Sequence, residues 1–225
     1  MMEGKEEEAK THIIIVPVAH VSKKSARLVE DTIRSRKPDL VGLELCRERL
    51  EALSRGGSRS MDLRTAISHP TSAILFAAQQ LIGKWWQVTP GEEMMRALGA
   101  AAELQRPVAL LDRPIGGIAR DIERIPLREK IGMVFSPGLK LPGKKKMSLS
   151  QMMKPENLEK ILGKLERDFP ASYKVFVESR NRHMFGKMLL CNVDTVVAVV
   201  GAAHVPGLCR LAEESGENIK IEVVE

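Results

Sequence analysis

The sequence is poor in aromatic residues, which make up 4% of its 225 positions. Proteins that bind single-stranded nucleic acid stack bases on aromatic side chains, and the chain also lacks zinc-knuckle and helix-turn-helix signatures. Its formal net charge of +6 is partly local, in Lys144–Lys146. We therefore expect no nucleic-acid partner, in spite of the basic excess.

Cysteine and long apolar runs are also scarce. The three cysteines, Cys46, Cys191 and Cys209, are odd in number and lack metal-finger spacing, which indicates free thiols in a reducing compartment. No stretch approaches the roughly 18 consecutive apolar residues of a membrane helix. The N-terminal stretch MMEGKEEEAK is charged and has no apolar signal core. We expect a cytoplasmic protein with a disordered tail over residues 1–11.

The sequence does contain two runs of β-branched and apolar residues, and each of them has an Ala-His-Val triplet near its end. Residues 12–22 read HIIIVPVAHVS, and residues 195–207 read TVVAVVGAAHVPG. Runs without polar alternation are typical of strands buried on both faces, as in a parallel sheet that helices cover on each side. The runs predict an α/β fold with a central, mainly parallel sheet flanked by helices.

Shorter runs predict further strands at 39–43, 108–111 and 219–224. Helical periodicity and end signals predict helices at about 22–36, 46–53, 73–86, 90–105, 155–167, 171–190 and 206–214. The helices predicted at 46–53, 73–86 and 90–105 then form a helical insertion between the second and third core strands. Residues 1–225 are expected to form a single domain, with residues 136–150 as a mobile loop.

The predicted helix over residues 73–86, AILFAAQQLIGKWW, has an apolar face that ends in two tryptophans. Packing in the core is the favoured interpretation. Left exposed, such a face marks a dimer interface or a membrane surface. We expect a homodimer on this basis.

Polar side chains follow four of the predicted strands at their carboxyl ends: His20, Glu44, Asp112 with Arg113, and His204. The carboxyl ends of parallel strands meet at one edge of a sheet, where ligand crevices form. Two histidines and one carboxylate suit Zn, Mn, Fe or Co and leave a coordination position open for water. The pattern therefore indicates a metal site at this edge.

Other charged residues suit supporting roles. Arg47, Arg113 and Arg180 could hold a substrate carboxylate or stabilise an oxyanion, and Glu93, in the first turn of a helix, suits a general base. A structural interpretation stands beside each of these roles. A histidine or carboxylate at a strand end also suits a helix cap, a turn or a buried hydrogen bond.

Five segments within residues 12–210 read, in order, AHVSKKSARLVEDTIRSRKPDLVGLELCRERLEAL, TPGEEM, VALLDRPI, ESRNRHM and VVAVVGAAHVPG. They resemble the successive signature blocks of the TraB/PrgY family, which is related to the Tiki metalloproteases and, more distantly, to the erythromycin-esterase and ChaN-like folds. The resemblance implies an EreA/ChaN-like α/β fold. It also implies a site built from two Gly-x-x-His motifs and a glutamate, which in Tiki relatives underlies metal-dependent proteolysis.

Carried onto this sequence, the resemblance implies that His20, Glu44 and His204 bind a divalent metal such as Mn, Co or Zn. Beside this metal site, we expect a cleft lined by Glu93, Arg47, Asp112, Arg113, Glu178 and Arg180. The second motif is intact as GAAH at residues 201–204, whereas the first reads PVAH at residues 17–20. Proline fixes φ and removes an amide, so it predicts an altered backbone before His20.

Two functions follow as expectations. The first is a metal-dependent hydrolase, peptidase-like in its substrate. The alternative is a non-catalytic module that binds a peptide or small ligand and restrains peptide signalling, as the resemblance to PrgY-type members implies. A haem carrier is a third option, suggested only by the distant ChaN likeness. The resemblance also implies membrane association in longer relatives.

Overall fold

The computed structural model describes residues 11–18, 23–54, 92–135, 151 and 154–224. The chain divides into two compact units. The first comprises Met1–Glu44, Glu92–Asp112 and Asn181–Glu225, and the second comprises Leu45–Gly91 and Arg113–Arg180. The predicted helix at 73–86, the predicted loop at 136–150 and residues 1–10 of the predicted tail lie outside the described residues.

The described strands are β1 (Thr11–Val18), β2 (Leu40–Leu43), β3 (Val108–Leu110), β4 (Thr195–Gly201) and β5 (Ile219–Val223). The described helices are α1 (Lys23–Arg36), α2 (Arg47–Ser54), α3 (Glu92–Glu103), α4 (Ile115–Glu123), α5 (Leu127–Phe135), α6 (Pro155–Asp168), α7 (Pro170–Tyr173), α8 (Ser179–Leu190) and α9 (Val205–Glu214). A π-helical segment, Lys174–Glu178, joins α7 to α8, and a 3₁₀ turn, Ala202–His204, joins β4 to α9.

All five strands form one parallel sheet in the order β3-β2-β4-β1-β5. This arrangement confirms the predicted α/β fold. Every side chain in residues 13–16 and 196–200 is at most 1% exposed, because the central strands β1 and β4 are covered on both faces. The two β-branched runs are therefore neighbouring strands, with Val18 opposite Gly201. The finer likeness to the EreA and ChaN folds stays a prediction.

Helices cover both faces of the sheet. Side chains from α8 and α9 pack with alternate residues of β1 and β4 on one face, while α1 and α3 pack together against the other. The core of the α8 and α9 face consists of Ile13, Ile15, Leu40, Leu111, Met184, Phe185, Met188, Val196, Ala198, Val200 and Leu208. Each fully buried aliphatic side chain of this kind contributes about 1.5–3 kcal/mol of hydrophobic stabilisation.

Pro17 lies within β1, which continues as a paired strand to Val18. The carbonyl of Ile15 accepts a hydrogen bond from the amide of Val224, so the backbone groups of odd-numbered residues in β1 point toward β5. Pairing with β5 ends at Ile15, opposite Val223. The next donor on this side of β1 would be the amide that proline lacks, so the β1–β5 ladder stops there, while every pair up to Ile15 is kept.

The second unit is helical over its described residues. Its core contains Ile125, Leu165, Phe176 and Val177. The carboxylate of Glu129 accepts hydrogen bonds from the backbone amides of Ala171 (3.2 Å) and Ser172 (2.9 Å) and from the Ser172 hydroxyl (3.0 Å). Glu129 thus caps the start of α7, where the amides have no partner within the helix.

The predicted helices at 155–167 and 206–214 are confirmed to within one residue, and the helix predicted at 90–105 runs from Glu92 to Glu103. The helix predicted at 171–190 is present, but its middle is π-helical. The prediction of a continuous α-helix is wrong over Lys174–Glu178, where the π-helical turn inserts one residue and displaces the apolar face by about 100°. Part of the predicted helical insertion is seen as α2 and α3, between β2 and β3; residues 55–91 of it lie outside the described residues.

Candidate functional site

Three of the predicted site residues follow neighbouring strands of the first unit at the carboxyl edge of the sheet. Glu44 comes directly after β2, Asp112 follows β3, and His204 ends the turn after β4. All three are nearly fully buried, with exposures of 8%, 2% and 1%. His20 lies outside the described residues, but β1 leads to this same edge, because Val18 pairs with Gly201.

Glu44 is held in place by the backbone of β4. Its amide donates to the carbonyl of Val199 at 3.0 Å, and its carboxylate Oε2 accepts a hydrogen bond from the amide of Gly201 at 2.6 Å. A charge-assisted bond of this kind is about twice as strong as one between neutral groups. The absence of a side chain at Gly201 leaves room for the carboxylate: a Cβ there would lie 3.1 Å from Oε2.

His204 lies between two polar side chains of the same unit. Its Nε2 is 3.2 Å from Oε1 of Glu44, and its Nδ1 is 2.6 Å from Oδ1 of Asn181. Asn181 is 3% exposed and belongs to α8. The imidazole is thus contacted at both ring nitrogens, by a carboxylate on one side and by an amide oxygen on the other.

Asn181 was not among the residues predicted for the site, although it lies in the quoted segment ESRNRHM. A signal for it was available in the sequence. Met184, Phe185 and Met188 are spaced three, four and seven positions after it, so the four residues share one face of a helix. A polar amide on an otherwise apolar, buried face needs a partner, and His204 is that partner.

The donor atoms of His204 and Glu44 fit a shared divalent metal. Ligand bonds of about 2.0–2.2 Å at angles of about 90–110° place two donor atoms roughly 2.8–3.6 Å apart, which includes the observed 3.2 Å. Metal-binding histidines commonly donate their other ring N–H to a carbonyl or carboxylate oxygen, as Nδ1 can to Asn181. Over the described part of the chain, no three His, Cys, Asp or Glu residues group as a metal site.

Glu93 belongs to the same unit and lies in the first turn of α3. It is 4% exposed, and its Oε1 accepts a hydrogen bond from the Ser25 hydroxyl of α1 at 2.7 Å. The N-terminal turn of a helix stabilises a negative charge. Glu93 is thus a buried carboxylate that joins the two helices on one face of the sheet.

The remaining predicted residues belong to the second unit. Arg113 donates to the Ser179 hydroxyl at 2.8 Å and to the Asp121 carboxylate at 2.7 Å. Arg180 is 2% exposed, and Glu178 ends the π-helical segment.

Arg47 also belongs to the second unit, near the start of α2. Its side chain is 86% exposed and pairs with Glu51 one turn later, at 3.2 Å. Such an exposed pair within a helix contributes only a few tenths of a kcal/mol, about 0.3–0.5. The first unit therefore brings together Glu44 and His204 of the predicted set and adds Asn181 to them.

Across the described residues, no helix is both long and apolar enough to cross a membrane.

Comparison with known proteins places these residues in a family. The model of the TraB/PrgY/gumN family matches residues 5–220. An uncharacterized protein of Methanocaldococcus jannaschii, MJ1365, is 30% identical in an alignment 228 residues long that covers 95% of this chain and 56% of that protein. A TraB domain-containing protein of Bos taurus is 25% identical over 238 residues, and one of Mus musculus is 24% identical, each match covering 88% of this chain and 62% of the relative.

The chain thus spans less than two thirds of the length of the curated relatives it matches. The family match extends over nearly the whole chain and includes both histidine motifs, Glu44 and the segment that carries Asn181. This protein belongs to the TraB/PrgY/gumN family.

Proposed function

We propose that this protein is a metal-dependent hydrolase that acts on peptides, with His204, Glu44 and His20 as the ligands of a divalent Mn, Co or Zn ion. The observation that supports it most is the buried pair of donor atoms, His204 Nε2 and Glu44 Oε1, separated by 3.2 Å. Burying a histidine and a carboxylate is costly unless each is compensated. A cation shared between them is one such compensation.

The residues of the first unit then have distinct tasks. Glu44 presents one carboxylate oxygen while the Gly201 amide anchors the other, and Asn181 orients His204. Glu93, held by Ser25, is proposed as the proton acceptor. The bound metal would supply Lewis acidity toward a carbonyl oxygen and lower the pKa of water. Asp112, buried at the same edge, is proposed to line the cleft.

The proposal is tested by metal content and calorimetric titration with Mn, Co and Zn on the wild-type chain and on His204→Ala, Glu44→Ala and His20→Ala. The matched control is His12→Ala, because His12 lies at the start of β1, far along the strand from its carboxyl end. One equivalent of metal, lost in the three variants and kept in the control, is expected. Cleavage of a quenched fluorescent peptide library, abolished by chelator, would then establish the reaction.

Absence of metal binding in the wild-type chain would overturn the hydrolase proposal. Peptide binding without turnover, measured on the same library by fluorescence anisotropy, would then favour the alternative of a module that sequesters peptides.

A further inference from the structure

The amide of Asn181 occupies an enclosed position between His204 and the start of α9. Its Oδ1 lies 2.6 Å from Nδ1 of His204. On its other side lies Gly207, where a Cβ would come within 2.0 Å of Nδ2 and 3.1 Å of Cγ of Asn181. Any side chain larger than hydrogen at position 207 would displace this amide. The presence of glycine at position 207 is therefore explained by the space that Asn181 needs, and not by helix propensity or backbone conformation.

We propose that Asn181 is a positioning residue that fixes the tautomer and the ring orientation of His204, and that Gly207 provides the space it needs. A carboxamide oxygen only accepts hydrogen bonds, so Nδ1 must carry the proton that is shared with Oδ1. In the neutral ring, the lone pair is then on Nε2, the nitrogen that faces Glu44. Neutral imidazole in water prefers the opposite tautomer, with its proton on Nε2.

The consequence for the site follows directly. A histidine binds a metal through its unprotonated nitrogen, so the Asn181 contact prepares Nε2 as a ligand before any ion arrives. This consequence rests on the proposed metal-dependent function, whereas the tautomer itself is a property of the metal-free chain. Asn181 acts through His204 and needs no contact with substrate.

The first experiment measures the tautomer without metal. The chain is labelled with ¹⁵N-histidine, and long-range ¹H–¹⁵N spectra, which distinguish the two neutral tautomers from the doubly protonated ring, are recorded with chelator present. The His204 signals are assigned by their loss in His204→Gln. The wild-type chain is expected to show the Nδ1–H tautomer, and Asn181→Ala is expected to shift His204 toward the Nε2–H form. Asn181→Asp, which keeps an acceptor oxygen, should retain the wild-type pattern.

A pair of glycine substitutions separates the positioning role from a general loss of stability. Gly207→Ala forces the Asn181 amide to move and should reproduce the spectrum of Asn181→Ala. Gly186→Ala is the matched control, because Gly186 lies on α8 with Asn181 and an added Cβ there meets nothing within 4 Å. It should leave the His204 signals unchanged and stabilise α8 slightly.

The second readout is metal affinity by titration with Zn and Mn. Loss of a group that supports a metal ligand typically weakens binding 10–100-fold, so we expect a decrease of about this size in Asn181→Ala and Gly207→Ala. Asn181→Asp and Gly186→Ala should stay near the wild-type value. If the wild-type chain binds no metal, the proposed function fails, and the tautomer measurement still decides the role of Asn181.

A wild-type spectrum with a proton on Nε2 and none on Nδ1 would overturn the assignment, because Nδ1 would then accept a hydrogen bond from the amide. An unchanged Nδ1–H pattern in both Asn181→Ala and Gly207→Ala would overturn it as well.

Discussion

Replacing Glu44 by glutamine separates the stability of the site from its capacity to bind metal. The glutamine has nearly the same shape, so its amide oxygen can still accept the Gly201 amide that Glu44 Oε2 accepts at 2.6 Å. Its NH₂ group would then face Nε2 of His204, which is 3.2 Å from Glu44 Oε1 in the wild-type chain. If Asn181 holds the proton on Nδ1, Nε2 can accept a hydrogen bond from this NH₂ group.

The expected free energies follow from these contacts. A hydrogen bond to a charged group contributes about 1.5–3 kcal/mol and a neutral one about 0.5–1.5 kcal/mol, so the bond to Gly201 loses about 1 kcal/mol in Glu44→Gln. The new bond to His204 and the removal of a buried charge offset this loss. We expect the free energy of unfolding to change by no more than about 1 kcal/mol. Glu44→Ala removes both contacts of the carboxylate and should cost about 2–4 kcal/mol.

Metal binding should respond in a different way. Glu44→Gln removes the anionic ligand, so the affinity for Mn, Co or Zn should decrease by more than the 10–100-fold typical of groups that only support a ligand. Urea denaturation, monitored by circular dichroism, gives the free energy of unfolding. Calorimetric titration of the same preparations gives the metal affinity. Wild-type metal affinity in Glu44→Gln, or a loss of stability as large as that of Glu44→Ala, would refute this reasoning.

Further predictions concern groups outside the proposed site. Glu129→Ala removes the cap of α7 and leaves buried amides without a partner, so urea denaturation should show a loss of about 2–4 kcal/mol, against little change in Glu159→Ala, whose side chain is exposed. Burial, aided by a nearby lysine, lowers the pKa of His12. As the pH falls, the His12 side chain is therefore protonated in the unfolded chain before it is protonated in the folded chain. The stability advantage of the wild-type chain over His12→Gln should shrink between about pH 7.5 and 5.5 as a result. A difference in melting temperature that stays constant over this range would contradict this prediction. Burial raises the pKa of the Cys46 and Cys209 thiols. Peptide mapping should find both alkylated by iodoacetamide at pH 7.5 far more slowly in the folded chain than in urea, and equal rates would show the burial to be wrong.

The sheet could be predicted from the sequence because its central strands have no alternative. Runs such as HIIIV and TVVAVV have β-branched side chains on both faces and are stable only when both faces are covered. The predicted approach of Glu44 to His204 follows from the same logic, since both residues come at the carboxyl ends of parallel strands. Neither inference requires knowledge of the strand order, which the sequence left open.

The contacts across the fold were harder to predict. Asn181 precedes His204 by 23 residues and reaches it only because α8 packs beside the start of α9, a tertiary arrangement that helical periodicity does not contain. The cap of α7 by Glu129 has the same character, with its partners 42 and 43 positions away. Local pattern predicts helices and strands, and long-range polar contacts need the packing that joins them.

The two histidine motifs differ at their first residue, and the sheet explains why each form is accommodated. Glycine at position 201 relieves a tight contact, because an added Cβ would lie 3.1 Å from the Glu44 carboxylate. Pro17 has no such neighbour on β2, since β4 lies between β1 and β2. The pairing of β1 with β5 also ends where its amide is missing. Within the described residues, the departure from the family pattern therefore falls on the motif that does not lie against Glu44, and it leaves the approach of β1 to the carboxyl edge intact as far as Val18.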